Sequence, residues 1–315
     1  MDEVTFRVDR GDKIGLVGRN GAGKTTLTKT LAGELVPAGG KIDRTGEIGY
    51  LPQDPRSGNP DDLARTRILD ARGLGQLVIG MSKSMEEMAS PDEAVSVAAM
   101  KKYGNLEERF TALGGYAAEA EAASIASNLS LPDRILSQPL STLSGGQRRR
   151  IELARILFSG ADTMLLDEPT NHLDADSVVW LREFLKSFPG GLIVISHDIE
   201  LVQDTVNKVF YLDANRQTID IYNMGWKNYQ AQRVADEERR KKERANAEKK
   251  AAVLTTQAAK FGAKATKAAA AHQMVARAEK LLAGLDEVRT NDRVAKLRFP
   301  DPVACGRTPL MASNL

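Results

Sequence analysis

Gly18, Gly23, Lys24 and Thr25 stand in the spacing G-x-x-x-x-G-K-T within "GLVGRNGAGKTTL", directly after an apolar run and ahead of a helical stretch. Each residue type has a physical task there. Glycines let the backbone curl so that successive N–H groups face one anion, and the helix N-terminus adds positive potential. An ammonium at Lys24 supplies a point charge for β- and γ-phosphates, and a hydroxyl at Thr25 can ligate Mg²⁺. The strand–loop–helix context separates a phosphate-binding loop from a chance glycine turn. Asn20, Gly21, Ala22 and Thr26 complete the loop that would bind nucleotide.

Two further motifs lie a helix's length apart in "TLSGGQRRRIELARILFSGADTMLLDEPTNHLD". "TMLLDE" reads as a buried apolar strand ending in Asp167 and Glu168. Adjacent side chains point opposite ways while a strand lasts, so Asp167 is assigned to the metal, through water, and Glu168 to the base that polarises attacking water. "LSGGQ" offers the Ser144 hydroxyl with Gly145, Gly146 and Gln147 at a helix start, a second turn suited to phosphate. Arg148, Arg149 and Arg150 read as a solvated helix face able to touch a partner. His197 follows the strand run "GLIVIS"; a lone strand-end histidine is ordinarily a satisfied structural group, but its acidic neighbour makes it a site candidate. His172 is read as structural and His272 as solvent-facing.

Positioning these groups requires an α/β domain with a largely parallel sheet. Candidate strands are "VTFRV", "KIGLVG", "EIGYL", "TMLLDE", "GLIVIS" and "KVFYLD". From Arg56 to Leu140 strand signals vanish, which predicts a mostly helical subdomain. Trp226 to Leu285 reads as two long helices with a break near residues 260–267, where Gly262 is the only punctuation. Ala271, Met274, Val275, Ala278, Leu281, Leu282 and Leu285 form an apolar stripe on the second helix, expected to pack on the first. Three prolines in "RFPDPVACGRTPL" then end the helical pattern.

Bulk properties narrow the class. The chain has 315 residues, 42% of them hydrophobic and 27% charged. No apolar run approaches the roughly 18–20 residues that span a bilayer, and the N-terminus lacks a secretion signal. Cys305 stands alone, an incidental thiol that fits a cytoplasmic location. A net charge of +2 conceals an excess of +7 between Arg233 and Lys280, which leaves about −5 elsewhere. Such asymmetry points to a polyanionic partner for that one segment.

"LSGGQRRRIELAR", "LLDEPTNHLD" and "VISHD" resemble the signature, Walker B with D-loop, and H-switch of ATP-binding-cassette ATPases. Gln53 in "GYLPQD" resembles the Q-loop. The resemblance implies a P-loop NTPase cassette with a mixed, mainly parallel sheet, a helical subdomain and a long C-terminal helical hairpin. It implies ATP and Mg²⁺ as cofactors, bound between two cassettes packed head to tail. Ser144, Gly145 and Gly146 would then reach a nucleotide held by the other cassette. His197 would hold the γ-phosphate, Gln53 would sense metal and water, and Asp174 would communicate across the interface. "DEPTNHLD" is typical of the ABC-F class, whose basic inter-cassette hairpin enters the ribosome near the P-site tRNA. Here Lys260, Lys264 and Lys267 would form its RNA-facing tip, suited to rRNA or tRNA phosphates.

The expected organisation is a cassette over 1–225, with its helical subdomain at about 56–158 and an inserted arm within 56–140. A hairpin linker follows over 226–298, and 299–315 resembles the opening of a second cassette. Partners would be the ribosome and a second cassette, in trans or as a C-terminal half, with no membrane insertion. A single isolated cassette would bind ATP weakly and turn it over slowly. The family's upstream adenine-stacking aromatic has no counterpart in the 17 residues before Gly18, where Phe6 falls on the expected first strand. An alternative is the nucleotide-binding subunit of a membrane transporter, which would leave the basic hairpin without a task. A cassette acting on DNA is a third reading.

Overall fold

Runs of four to six mostly apolar residues become five parallel strands, in a computed structural model that describes residues 4–54, 58–214, 216–262 and 268–283. They are β1 (Lys13–Gly18), β2 (Ile48–Leu51), β3 (Thr163–Asp167), β4 (Gly191–Ile195) and β5 (Lys208–Asp213). A sixth strand, β6 (Thr218–Tyr222), runs antiparallel to β5 and closes one edge. The sheet order is β2-β3-β4-β1-β5-β6.

Successive residues on β3, β4 and β5 bury opposite faces. Leu165, Ile193, Ile195, Phe210 and Leu212 form one core with Ile14 and Leu16. Leu27 and Leu31 of α1 (Lys24–Ala32) cover it. Met164, Leu166, Leu192, Val194, Val209 and Tyr211 face the other core. Strands covered on both sides need apolar residues at every position, which is why they read as continuous runs rather than alternations.

Between β2 and β3 every described element is helical: α2 (Ala64–Leu69), α3 (Gly75–Met88), α4 (Glu93–Ala112), α5 (Gly115–Asn128), α6 (Asp133–Leu136), α7 (Gly145–Phe158) and two short 3₁₀ turns. α3 and α4 pack along each other as a helical hairpin. Helix α7 joins this layer to the sheet: Ile151, Leu153, Ala154, Ile156, Leu157 and Phe158 are all buried. The buried carboxylate of Glu152 pins Arg67 of α2 at 2.6 Å and Arg155 at 2.8 Å. Downstream, α8 (Ala175–Ser187) and α9 (Ile199–Thr205) complete the same layer through Leu181, Leu185, Leu201 and Val202.

α10 (Trp226–Gly262) starts four residues after β6 and is rooted in the sheet's edge. Tyr229, 1% exposed, meets Tyr222 and Trp226 with ring centroids 5.0 and 5.3 Å away. Arg233 stacks over the Tyr211 ring at 4.3 Å. Beyond this root, i,i+4 pairs such as Arg244–Glu248 (2.8 Å) support an otherwise solvated helix. α11 (Ala268–Ala283) packs on α10, with Ala251, Ala258 and Ala278 buried.

Two expectations need correction, and one strand went unforeseen. "VTFRV" is not a strand; Phe6 instead packs edge-on against Phe210 at 5.2 Å, covering the sheet's face rather than joining it. β6 carried no strong strand signal, because a half-exposed edge strand tolerates Asp220 in its middle. The α11 stripe is only partly covered: Met274 is half-buried, while Val275 and Leu281 are each 37% exposed, because alanines set the contact with α10. Lys264, Lys267, Leu285, Cys305 and residues 299–315 lie outside the described residues.

Candidate nucleotide site

β1 delivers Gly18 to the sheet's C-terminal edge, and the chain then curls into α1. A Cβ on Gly18 would lie 2.8 Å from the Leu212 carbonyl oxygen on the neighbouring strand, so only glycine fits. Gly21 and Gly23 take φ of 79° and 95°, the left-handed region that L side chains resist. Gly23 is the N-cap of α1 and offers no side chain to the first-turn N–H groups, which stay available to an anion. Asn20 and Gly21 are exposed, Ala22 is half-buried, and Thr26 points outward from the first turn. Lys24 Nζ lies across the loop, donating to the Gly18 and Arg19 carbonyls at 2.8 and 3.1 Å. Burial lowers its pKa, while the Asp167 and Glu168 carboxylates pull it back up.

The acidic pair arrives at the end of β3, Asp167 as its last residue and Glu168 just beyond it, and the two carboxylates meet different partners. Thr25 Oγ1 donates to Asp167 Oδ2 at 2.8 Å, which joins the two residues assigned to the metal. Two hard oxygens converging at a buried position suit Mg²⁺, which takes one or two protein ligands and completes its octahedron with water and phosphate oxygens. Glu168 leaves the strand with φ of 52°, an unusual left-handed conformation for a residue with a Cβ. That twist turns its carboxylate toward β4's end: Oε2 accepts from the His197 N–H at 3.2 Å, and Oε1 lies 3.4 Å from His197 Nε2. Parallel pairing of Asp167 with Ile195 makes this meeting possible across nearly thirty residues of sequence. Burial pushes the Glu168 carboxyl above the usual carboxylate range; the His197 N–H, His197 itself and Lys24 oppose the shift, and Asp167 adds to it.

Gln53 follows β2, whose register sets Leu51 beside Leu166, and the Gln53, Asp167 and Glu168 carbonyls all accept from Arg149. Its residue is exposed. The signature-like turn lies at the start of α7. Ser144 and Gln147 satisfy each other there as a capping box: the Gln147 N–H donates to Ser144 Oγ at 3.2 Å, and Gln147 Oε1 accepts from the Ser144 N–H at 2.9 Å. Ser144 and Gly145 are exposed. A cavity of about 580 Å³ brings Gln53, Gly145, Gly146, Arg148 and His172 together, and no residue of the 18–26 loop lines it. The two glycine-rich turns do not share this cavity.

The family described as ABC transporter matches residues 1–171, and an extension of the same description matches residues 212–299. The chain belongs to the ATP-binding cassette family. The chain is 36% identical over 219 residues to the energy-dependent translational throttle protein EttA of Escherichia coli, covering 68% of this chain and 38% of that protein. It is 34% identical over 253 residues to the tylosin resistance ATP-binding protein TlrC of Streptomyces fradiae, covering 77% and 44%. Both are relatives of the ABC-F class. The chain spans less than half the length of the curated relatives it matches. Among solved structures, an ATP-binding subunit of an ABC transporter aligns with a TM-score of 0.52 at 19% identity, over 70% of this chain and 82% of the other, which supports the shared fold.

Asp174 and the arginine run have partners that the sequence did not show. Asp174 is the N-cap of α8: its Oδ1 accepts from the Ser177 N–H at 2.9 Å. Hydrogen bonds from Ser130 and Ser177 hold its carboxyl down at about 2. The arginine run is not a solvated face. Arg148 alone is exposed; Arg150 donates to the Leu129 and Ser130 carbonyls, and Arg149 is 5% exposed. The signal that could have revealed this is the following "IELARILF", apolar almost all round, which predicts a helix buried on most of its circumference.

Proposed function

We propose that this chain is the ATP-hydrolysing cassette of an ABC-F type factor that acts on the ribosome. In this reading ATP sits on the Gly18–Thr26 loop of one cassette and the Ser144–Gly146 turn of another. Lys24 and the first-turn N–H groups of α1 hold the β- and γ-phosphates. Thr25, Asp167 and Gln53 would hold Mg²⁺, which when bound would neutralise negative charge on the phosphates. Glu168 takes a proton from the attacking water as its oxygen bonds to the γ-phosphorus and the bond to ADP breaks. His197 keeps the Glu168 carboxylate oriented and would hold the γ-phosphate.

The observation that carries the ribosomal part is the α10–α11 pair. It is basic, more than fifty residues long, and rooted on β5–β6, with β5 directly beside the strand that ends in the phosphate loop. Lys260, in the last turn of α10, is exposed near the far end, and Lys264 and Lys267 follow it in sequence. A relative named as a translational throttle supports the same target. A pelleting assay tests it: the chain, with and without residues 226–298, is sedimented with ribosomes in ATP across a salt series. Binding that needs the hairpin and fades with salt is the expected result. Replacing Lys260, Lys264 and Lys267 by Glu should weaken binding and spare ATP affinity. Salt-independent binding, or recovery with an integral membrane protein instead, would remove the ribosomal reading.

A further inference from the structure

Arg149 sits one turn beyond the exposed Ser144–Gly146 turn on the same helix, and its guanidinium is buried under the catalytic corner. One terminal nitrogen donates to the Pro52 carbonyl at 3.1 Å and to the Gln53 carbonyl. The other donates to the Asp167 and Glu168 carbonyls at 2.7 and 2.8 Å. Four main-chain oxygens from two separate chain segments thus converge on one side chain. Those segments carry the metal carboxylate, the base and the residue read as the water sensor. The planar fork of an arginine can reach four such acceptors, whereas a lysine ammonium is a compact point charge.

The Glu168 backbone makes this contact more than fold glue. Its φ of 52° is a conformation a glutamate leaves unless the surroundings hold it. Three bonds do so: the Glu168 N–H donates to the Ile195 carbonyl at 2.8 Å, and the Glu168 carbonyl accepts from Arg149 at 2.8 Å and, at the longer distance of 3.3 Å, from the Asn171 N–H. The first belongs to the sheet, which is rigid. The second belongs to α7, whose N-terminal turn is open to solvent. A push on that turn therefore reaches the main chain carrying the base through one rigid helical turn.

We propose that Arg149 is a positioning residue: through four main-chain carbonyls it sets Glu168 and Gln53 according to whether the Ser144–Gly146 turn of the same chain is engaged. This rests on the reading that each signature-like turn meets the other cassette's ATP. It follows that loading one nucleotide site tunes hydrolysis in the other.

The test uses Arg149→Lys and Arg149→Ala in the cassette paired with a second cassette, measured for ATP affinity, kcat, KM and melting temperature. The phosphate loop is untouched, so ATP affinity should stay within about twofold, while kcat should fall by up to about 100-fold, the scale of a sub-ångström to 1 Å misplacement. Ethylguanidinium in millimolar amounts should restore part of the Arg149→Ala rate, a rescue that a merely destabilised protein would not show. In a double-mutant cycle with Ser144→Ala, the kcat losses should be strongly non-additive, because both lie on one route. Additive losses, absence of rescue, or a kcat loss matched by equal losses in ATP affinity and melting temperature would reduce Arg149 to a structural residue. If Arg149→Ala does not fold, Arg149→Lys and its cycle with Ser144→Ala decide alone. Unaltered kcat in Arg149→Lys overturns the inference while leaving ATP hydrolysis intact; a wild-type pair that hydrolyses no ATP overturns the reading beneath it.

Discussion

Glu168→Gln is the substitution for which activity and stability should move in opposite directions. Glutamine keeps an oxygen to accept the His197 N–H now 3.2 Å from Oε2, so the corner's geometry should survive. What it loses is the capacity to take a proton. General-base removal costs about 10²–10⁴ in rate, or about 3–5 kcal/mol of barrier at 1.36 kcal/mol per tenfold. ATP binding should not weaken, so nucleotide should accumulate on the variant. The pH behaviour follows from burial, which raises the carboxyl above its ordinary 4.5. A base works only when ionised, so wild-type turnover should fall as pH drops through that raised value, and the variant should lack this limb. Stability runs the other way. Between the ordinary and raised pKa values the folded chain binds more protons than the unfolded chain, so its stability falls as pH rises through that window. At neutral pH the ionised Glu168 is a standing cost, and Glu168→Gln should melt at a higher temperature. The assays are phosphate release with a second cassette present, retention of labelled ATP, and calorimetry at pH 7. Undiminished phosphate release, or a lowered melting temperature with ATP no longer retained, would refute the assignment of base and burial together.

Other substitutions probe the frame around that corner. Gly18→Ala should cut ATP affinity at least tenfold with little change in circular dichroism, because the new Cβ meets the Leu212 carbonyl at 2.8 Å and displaces the loop; titration with a fluorescent ATP analogue reads it. Tyr229→Ala should cost about 3–5 kcal/mol by opening a cavity under the root of α10, and limited proteolysis should then cut within that helix first. Asp174→Ala should remove the α8 cap, at a cost of about 1 kcal/mol near neutral pH. Because the Asp174 carboxyl is held at about 2, that contribution is present above its ordinary value of 3.8 and lost as pH falls toward 2. Denaturant unfolding of both proteins at pH 7 and pH 2 measures the difference.

What could be read from the sequence was local chemistry. The Gly18–Thr26 loop depends on residues close together in sequence, and it lies between the end of β1 and the start of α1 as its spacing implies. The strands buried on both faces announced themselves as apolar runs. Contacts set by strand register were harder to see: Glu168 meets His197 only because β3 lies beside β4 with Asp167 opposite Ile195. Arg149 was misread for a related reason. Three successive arginines look solvated in one dimension, and only the packing of α7 between sheet and helical layer shows which of them is enclosed. "VTFRV" alternates like a strand, but the neighbouring β1 is already flanked by β4 and β5, and Phe6 packs on the sheet's face against Phe210 instead.

The dimensions of α10 carry a consequence for mechanical gain. Its 37 residues extend about 55 Å at 1.5 Å per residue. A tilt of about 5° at the aromatic root would sweep the distal tip through roughly 5 Å, about one helical pitch. Ångström-scale adjustments beside the phosphate loop would thus be magnified to nucleotide-scale displacements at the helix's far end, with no joint needed along the way.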